Sequence, residues 1–295
     1  MFVFLALIAG VLNAVTVLQN GQLAAFYGDY SGSVMIHLVG LVAVLVIFAC
    51  VRCKLPHRQK AAPWMFLGGV VGVGTVVFCT SAYGGVSVTA IGGLGLLGQS
   101  IASLIVDQYG LLGAKKVALR REKLVGVAAV FAGALTMVFP LTGANGLAAL
   151  AALASGFTIV TARTMNARLA ERHGAMRSTV MNYITGLGTS LVFMLIFGMK
   201  EPVFSGFQLS SNWFMYLGGA LGVGLIMVLN VTVSKVSALS MTLLQFTGQI
   251  FTSLLLDTLL QNGFSWQSAI GGVLVAIGLS INTIAENRAE KKPLS

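Results

Sequence analysis

The chain has 295 residues, 57% of them hydrophobic and 9% charged, with a formal net charge of +10. A soluble domain carries roughly 25% charged residues, so there is too little polar surface here to coat a water-soluble globule, and the outer surface must face lipid. The basic residues fall in short clusters between apolar stretches, with no stripe of interleaved aromatics, which argues against nucleic acid and for positions beside anionic lipid.

A hydrocarbon layer about 30 Å thick needs roughly 20 apolar helical residues. Segments of that kind recur at 2–18, 32–51, 63–83, 86–106, 124–140, 146–162, 179–199, 213–234, 236–256 and 266–284. The first lacks a basic leader and a convincing cleavage site before Gln19 and Asn20, so it reads as a membrane helix and not as a secretory signal. The second ends in Cys50-x-x-Cys53 with His57 nearby. A zinc site would need a further ligand from a distant loop, such as His173, since no second C-x-x-C follows, and thiols on the cytoplasmic side are normally kept reduced, so these read as small residues at a helix end, and Cys79 as a plain helix residue. Tyr83-Gly84-Gly85 is the tight turn between the third and fourth segments. The expected fold is an all-α membrane protein of ten transmembrane helices, with no soluble domain or long linker.

The halves repeat. Asn20, Leu23, Ala24, Gly28, Val34, Met35 and Gly40 recur 146 positions later as Asn166, Leu169, Ala170, Gly174, Val180, Met181 and Gly186. At offset 150, Leu67-Gly68-Gly69 with Gly72-Val73-Gly74 recurs as Leu217-Gly218-Gly219 with Gly222-Val223-Gly224, and Gly98-Gln99, Ser103-Leu104 and Asp107 recur as Gly248-Gln249, Ser253-Leu254 and Asp257. Gly126 and Gly133 match Gly271 and Gly278 at 145. The predicted repeats are 1–143 and 144–295. Five helices is an odd number, so the second copy enters the membrane inverted.

The basic residues test this independently. Arg52 to Lys60, Lys115 to Lys123, Arg163 to Arg177, Lys235 and the C-terminal cluster fall on one face, against Lys200 on the other. Arg163, Arg168, Arg172 and Arg177 correspond to uncharged Val17, Gln22, Phe26 and Ser31. Both termini are therefore expected in the cytoplasm, in a plasma (bacterial inner) membrane.

The blocks N-x-x-L-A-x-x-x-G, L-G-G-x-x-G and G-Q-x-x-x-S-L-x-x-D resemble the YdcZ-like family of the drug/metabolite transporter superfamily, over nearly the whole chain. Members are often a single five-helix unit, and this chain resembles two units fused. The family usually closes the G-Q helix with a D-H-F-G-like end; here Asp107-Gln108-Tyr109-Gly110 and Asp257-Thr258-Leu259-Leu260 stand there. The resemblance implies transport of a small metabolite or drug and names no ligand.

Inverted-repeat transporters hold substrate near the bilayer midplane, on polar groups that would be costly against lipid. Gln99, Ser103 and Asp107 share one helical stripe, as do Gln249, Ser253 and Asp257. Each glutamine sits about 12 Å deeper than its aspartate. The substrate-binding candidates are Gln99, Ser103, Gln249, Ser253, Asn20 and Asn166, the asparagines placed where the first helix of each half ends. Asp107 and Asp257 are the candidate coupling carboxylates, and helix caps are their alternative role. Asn13, His37, Asn182, Tyr183, Asn230 and Gln245 read as interhelical contacts.

No H-E-x-x-H, G-x-S-x-G or nucleotide-binding signature occurs, so neither an enzyme nor a primary pump is expected, and no cofactor or metal. A secondary transporter that works as an exporter is the reading; a membrane scaffold or receptor is the alternative. The expected partners are a small-molecule substrate and the bilayer, with a homodimer left open.

Overall fold

The computed structural model describes residues 2–50, 60–113, 121–139, 143–233, 238–260 and 265–290. Within these ranges some side chains, Asp107 and Asn230 among them, lie outside the described set, as do Cys53 and His57 of the C-x-x-C stretch. The helices are α1 (Phe2–Tyr27), α2 (Asp29–Cys50), α3 (Gly68–Ala82), α4 (Val88–Tyr109), α5 (Arg121–Val138), α6 (Gly143–His173), α7 (Ala175–Phe197), the single turn α8 (Pro202–Ser205), α9 (Gly218–Val233), α10 (Ala238–Leu260) and α11 (Trp266–Glu290). Short 3-10 turns, Pro63–Leu67 and Trp213–Leu217, lead into α3 and α9. The protein is an all-α membrane protein. Six of the described helical stretches are long and apolar enough to cross a bilayer, and Leu124–Val138, Trp213–Leu229 and Trp266–Ile281 are shorter apolar helices.

Two helices are longer than the sequence suggests. α1 and α6 continue past the polar residues taken as their ends and stop at Gly28 and Gly174, whose φ values of 102° and 87° favour glycine. Asn20 and Asn166 therefore lie inside helices and not at helix ends. The extension is stabilised by burial: Leu23, Ala24, Tyr27 and Leu169 are all core residues. Gly110 closes α4 in the left-handed conformation, its N–H bonded to the Val106 carbonyl. That accounts for the glycine of Asp107-Gln108-Tyr109-Gly110.

α1 lies along α10 and α9, α6 along α4 and α3, α5 along α11, and α2 along α7. The close approaches occur where glycine removes a Cβ. A Cβ on Gly98 would collide with the Leu153 carbonyl oxygen, and one on Gly248 with that of Leu7. One on Gly133 would lie 2.7 Å from the Val275 nitrogen, and one on Gly278 2.7 Å from that of Val130. Gly68 and Gly218 are pressed in the same manner by the Asn166 and Asn20 amides. The largest core cluster includes Leu94, Leu97, Val130, Ala152, Phe246 and Val275, and so joins α4, α5, α6, α10 and α11.

One end of the bundle is tied by carboxylates at helix N-termini, where backbone N–H groups lack intrahelical partners. Asp257 accepts from the Val88 and Thr89 N–H groups at 2.9 and 2.8 Å, capping α4 beside its own Ser87 cap. Glu201, carried by the α7–α8 connection, accepts from the Tyr30 and Ser31 N–H groups at 2.8 Å each, capping α2. Asp29 accepts from the Ser81 hydroxyl at 2.8 Å, joining the start of α2 to the end of α3. Tyr27 donates to the Gln208 carbonyl at 2.8 Å, which folds the 198–212 connection over the end of α1.

Candidate functional site

Gln99 stands at the middle of α4, just past the glycine crossing with α6, where a Cβ on Gly156 would lie 2.5 Å from the Gln99 nitrogen. Its Oε1 accepts from an Arg163 guanidinium nitrogen at 3.5 Å. Gln99 and Ser103 are half-buried. Gln249 occupies the matching place against α1, where a Cβ on Gly10 would lie 2.6 Å from the Gln249 nitrogen. Its own side chain is buried and turned toward α4, with Nε2 2.7 Å from where a Cβ on Gly92 would be. Both glutamines thus face the α4, α6 and α10 region, and among the described residues no hydrogen bond joins the two amides.

Below Gln249 the stripe is sealed. Ser253 is 1% exposed, and among the described residues neither its hydroxyl nor that of Thr89 on α4 finds a hydrogen-bond partner. Asp257 is 3% exposed and held by the two backbone N–H groups of α4. It caps a helix other than its own. The Asp107 side chain lies outside the described residues.

The asparagines differ in a way the sequence explains. Asn166 donates to the Asn182 side-chain oxygen at 2.8 Å, and its carbonyl accepts from the Ser178 hydroxyl at 2.8 Å. In the first half Ile36 stands where Asn182 stands in the second. Among the described residues the Asn20 side-chain oxygen is accordingly buried without a partner. Gln19, fully buried beside it, donates to the Phe214 carbonyl at 2.9 Å, while its own oxygen is also unpartnered, as is the Thr16 hydroxyl. Buried polar groups are ordinarily bonded, so Thr16, Gln19 and Asn20 form a polar face of α1 with unused hydrogen-bonding capacity.

Between α2 and α7, the His37 Nδ1 bonds the Ser33 carbonyl at 2.8 Å and the Ser190 hydroxyl at 3.2 Å, and the Ser33 and Ser190 hydroxyls meet at 2.8 Å. Tyr183 donates to the Gly219 carbonyl at 3.2 Å. In the α3–α4 turn, the Tyr83 phenol is pushed up by burial, with the Gln22 hydrogen bond opposing, and stays neutral.

Sequence reasoning missed two residues. Arg163 was grouped with the loop cations, yet α6 runs on to His173, so its guanidinium reaches the centre of α4. The signal was the Gly28/Gly174 match, which marks where each helix stops. Glu201 carried no signal beyond sitting beside Lys200 and Pro202.

Helices of spanning length, with polar groups buried among them, define an all-α membrane protein. Residues 1–136 and 147–281 each match the family described as "Putative inner membrane exporter, YdcZ". The chain belongs to that family, which it matches in two successive segments. Membership points to an exporter rather than an enzyme, and to the inner membrane. A search of curated proteins finds no match. Twenty-two chains of solved structures match; one, described only as a crystal structure of a protein, aligns over 98% of both chains with a TM-score of 0.62 at 17% identity. At that identity the likeness speaks to the fold alone.

Proposed function

We propose that the chain is a secondary transporter that exports a small metabolite or drug by alternating access, with ten spans arranged as two inverted five-helix repeats, 1–143 and 144–295. The observation that carries this reading is an exchange of contacts between the halves. What α1 does against α10, α6 does against α4, with glycines at matched positions meeting matched carbonyls. A twofold axis in the membrane plane generates such an exchange, and inverted-repeat transporters bind substrate where the repeats meet. The distribution of basic residues supports cytoplasmic termini. On that orientation the Asp257, Glu201 and Tyr27 contacts tie helix ends together on the outer side.

Gln99, Ser103, Gln249, Ser253, Asn20 and Asn166 are the proposed substrate contacts. The test is substrate efflux from proteoliposomes. Gln99→Leu and Gln249→Leu are each expected to lower flux by about tenfold, the equivalent of about 1.4 kcal/mol, while the protein stays monodisperse. Normal flux in both variants would make the amides packing devices.

Asp107 and Asp257 are the proposed coupling groups. A proton-driven exporter links proton and substrate binding, so the pH profile of flux should change when the titrating carboxylate is removed. Asp257 is already engaged as a cap, which favours Asp107 as the more sensitive. Flux measured with and without an imposed pH gradient, for wild type, Asp107→Asn and Asp257→Asn, decides this. Gradient-independent flux in wild type removes proton coupling.

A further inference from the structure

The Arg163 guanidinium sits where a charge is hardest to keep. Its Cα is about 15 Å short of the α6 end at His173, at 1.5 Å per residue. A helical side chain leans toward the N-terminus of its own helix, which here means away from the near end of α6 and deeper into the bundle. The hydrogen bond to Gln99, at the midpoint of α4, shows that it does. An arginine that reached back to the headgroups would point the other way.

Its surroundings do not neutralise it. Among the described residues no carboxylate is in ion-pair contact with Arg163; the ion pair on α6 is Arg168–Glu171, near the helix end. The Gln99 oxygen accepts one of five guanidinium N–H groups, at the long distance of 3.5 Å. Yet Arg163 is exposed and Gln99 half-buried, so their neighbours do not enclose the pair. A guanidinium facing hydrocarbon at that depth would be costly; facing a polar path it marks a functional site. The matched position in the first half is Val17, so the duplication itself does not require this charge.

We infer that Arg163 and Gln99 form an anion-recognition site, and that the substrate carries a carboxylate or phosphate group which the guanidinium fork binds. Arginine presents paired N–H donors in a plane that matches either oxyanion, and the Gln99 amide supplies a further N–H donor beside them. The proposed contacts on α10, Gln249 and Ser253, are uncharged and buried, and the Asp257 carboxylate further along the same stripe is held by the α4 N–H groups. One end of the substrate is therefore anionic and the other neutral. This inference rests on the transporter reading and narrows its substrate class from metabolites and drugs at large to organic anions.

The experiment uses the full chain in detergent or nanodiscs and measures thermal stability and calorimetric binding against four probes: benzoate, inorganic phosphate, tetraphenylphosphonium and glycerol. A ligand that binds the native state alone raises apparent stability. Benzoate or phosphate is expected to stabilise wild type, with affinity falling about 10- to 100-fold in Arg163→Gln and less in Arg163→Lys, which keeps the charge and loses the fork. Because Arg163→Lys retains a cation at the site, it also serves where the glutamine variant folds poorly. The inference is overturned if no anion stabilises wild type more than Arg163→Gln. Binding of tetraphenylphosphonium or glycerol that depends on Gln99 but not on Arg163 overturns the anion class and leaves the transporter reading standing. Arg163-dependent anion binding without any flux in proteoliposomes does the reverse.

Discussion

Asp257→Ala lowers the stability of the folded protein by about 3 kcal/mol, since charge-assisted hydrogen bonds contribute about 1.5–3 kcal/mol and buried N–H groups left unpaired cost about as much again. The carboxylate is 3% exposed and satisfies two N–H groups at the start of α4, while the protein offers α4 one other side-chain cap, Ser87. Without Asp257 two donors are left buried and the positive end of the α4 dipole is uncompensated. Asp257→Asn keeps one acceptor oxygen and should lose about half as much. Thermal unfolding in detergent of wild type and both variants measures this. An Asp257→Ala protein as stable as wild type would mean that water or Ser87 takes over the cap. The comparison also separates architecture from coupling: if Asp257→Asn changes flux in proportion to the remaining folded protein, the carboxylate acts through structure.

Gly98→Ala and Gly248→Ala should each prevent the tight crossings from forming. The added methyl meets a backbone carbonyl, of Leu153 or of Leu7, and a backbone cannot swing aside as a side chain can. Overpacking typically costs about 1–3 kcal/mol, and collision with main chain at two matched crossings puts these variants at or beyond the upper end. Gly188→Ala, inside α7 with nothing within 4 Å of the new Cβ, is the control. It should be neutral or stabilising by about 0.5–1 kcal/mol, because alanine loses less backbone entropy than glycine in a helix. Size-exclusion profiles and unfolding temperatures of the three variants give the ranking. A monodisperse, wild-type-like Gly98→Ala would show that α4 and α6 can separate without loss.

The helices were legible because a bilayer demands long apolar runs, and every predicted segment overlaps a helix in the structure. The ends of α1 and α6 were not, because Gln19, Asn20, Asn166 and Arg168 look like the polar residues that close a membrane helix. Gln19 is fully buried only because the turn before α9 covers it and offers the Phe214 carbonyl, a partner nearly two hundred residues away. Nothing local distinguishes such a residue from one in a loop. The same limit hid which helix Asp257 caps: a carboxylate at a helix end reads as that helix's own business, whereas the N–H groups it meets belong to α4. The matched glycines carried more information than any single polar residue. Gly28 and Gly174 mark helix ends, and Gly98 and Gly248 mark crossings, wherever the two halves keep the same backbone. Arg163 stood out only once α6 was known to extend beyond it.

The Asn166–Asn182 pair and its absence in the first half bear on how such a protein can change. Two identical five-helix units paired about an axis must take every substitution twice, so a residue suited to one end of a substrate is forced on the other end as well. With both units on one chain, Ile36 can replace the asparagine in one copy while Asn182 keeps its partner in the other, and Val17 can stay apolar opposite Arg163. Covalent linkage thereby frees each half to keep a residue that two identical copies would be forced to share.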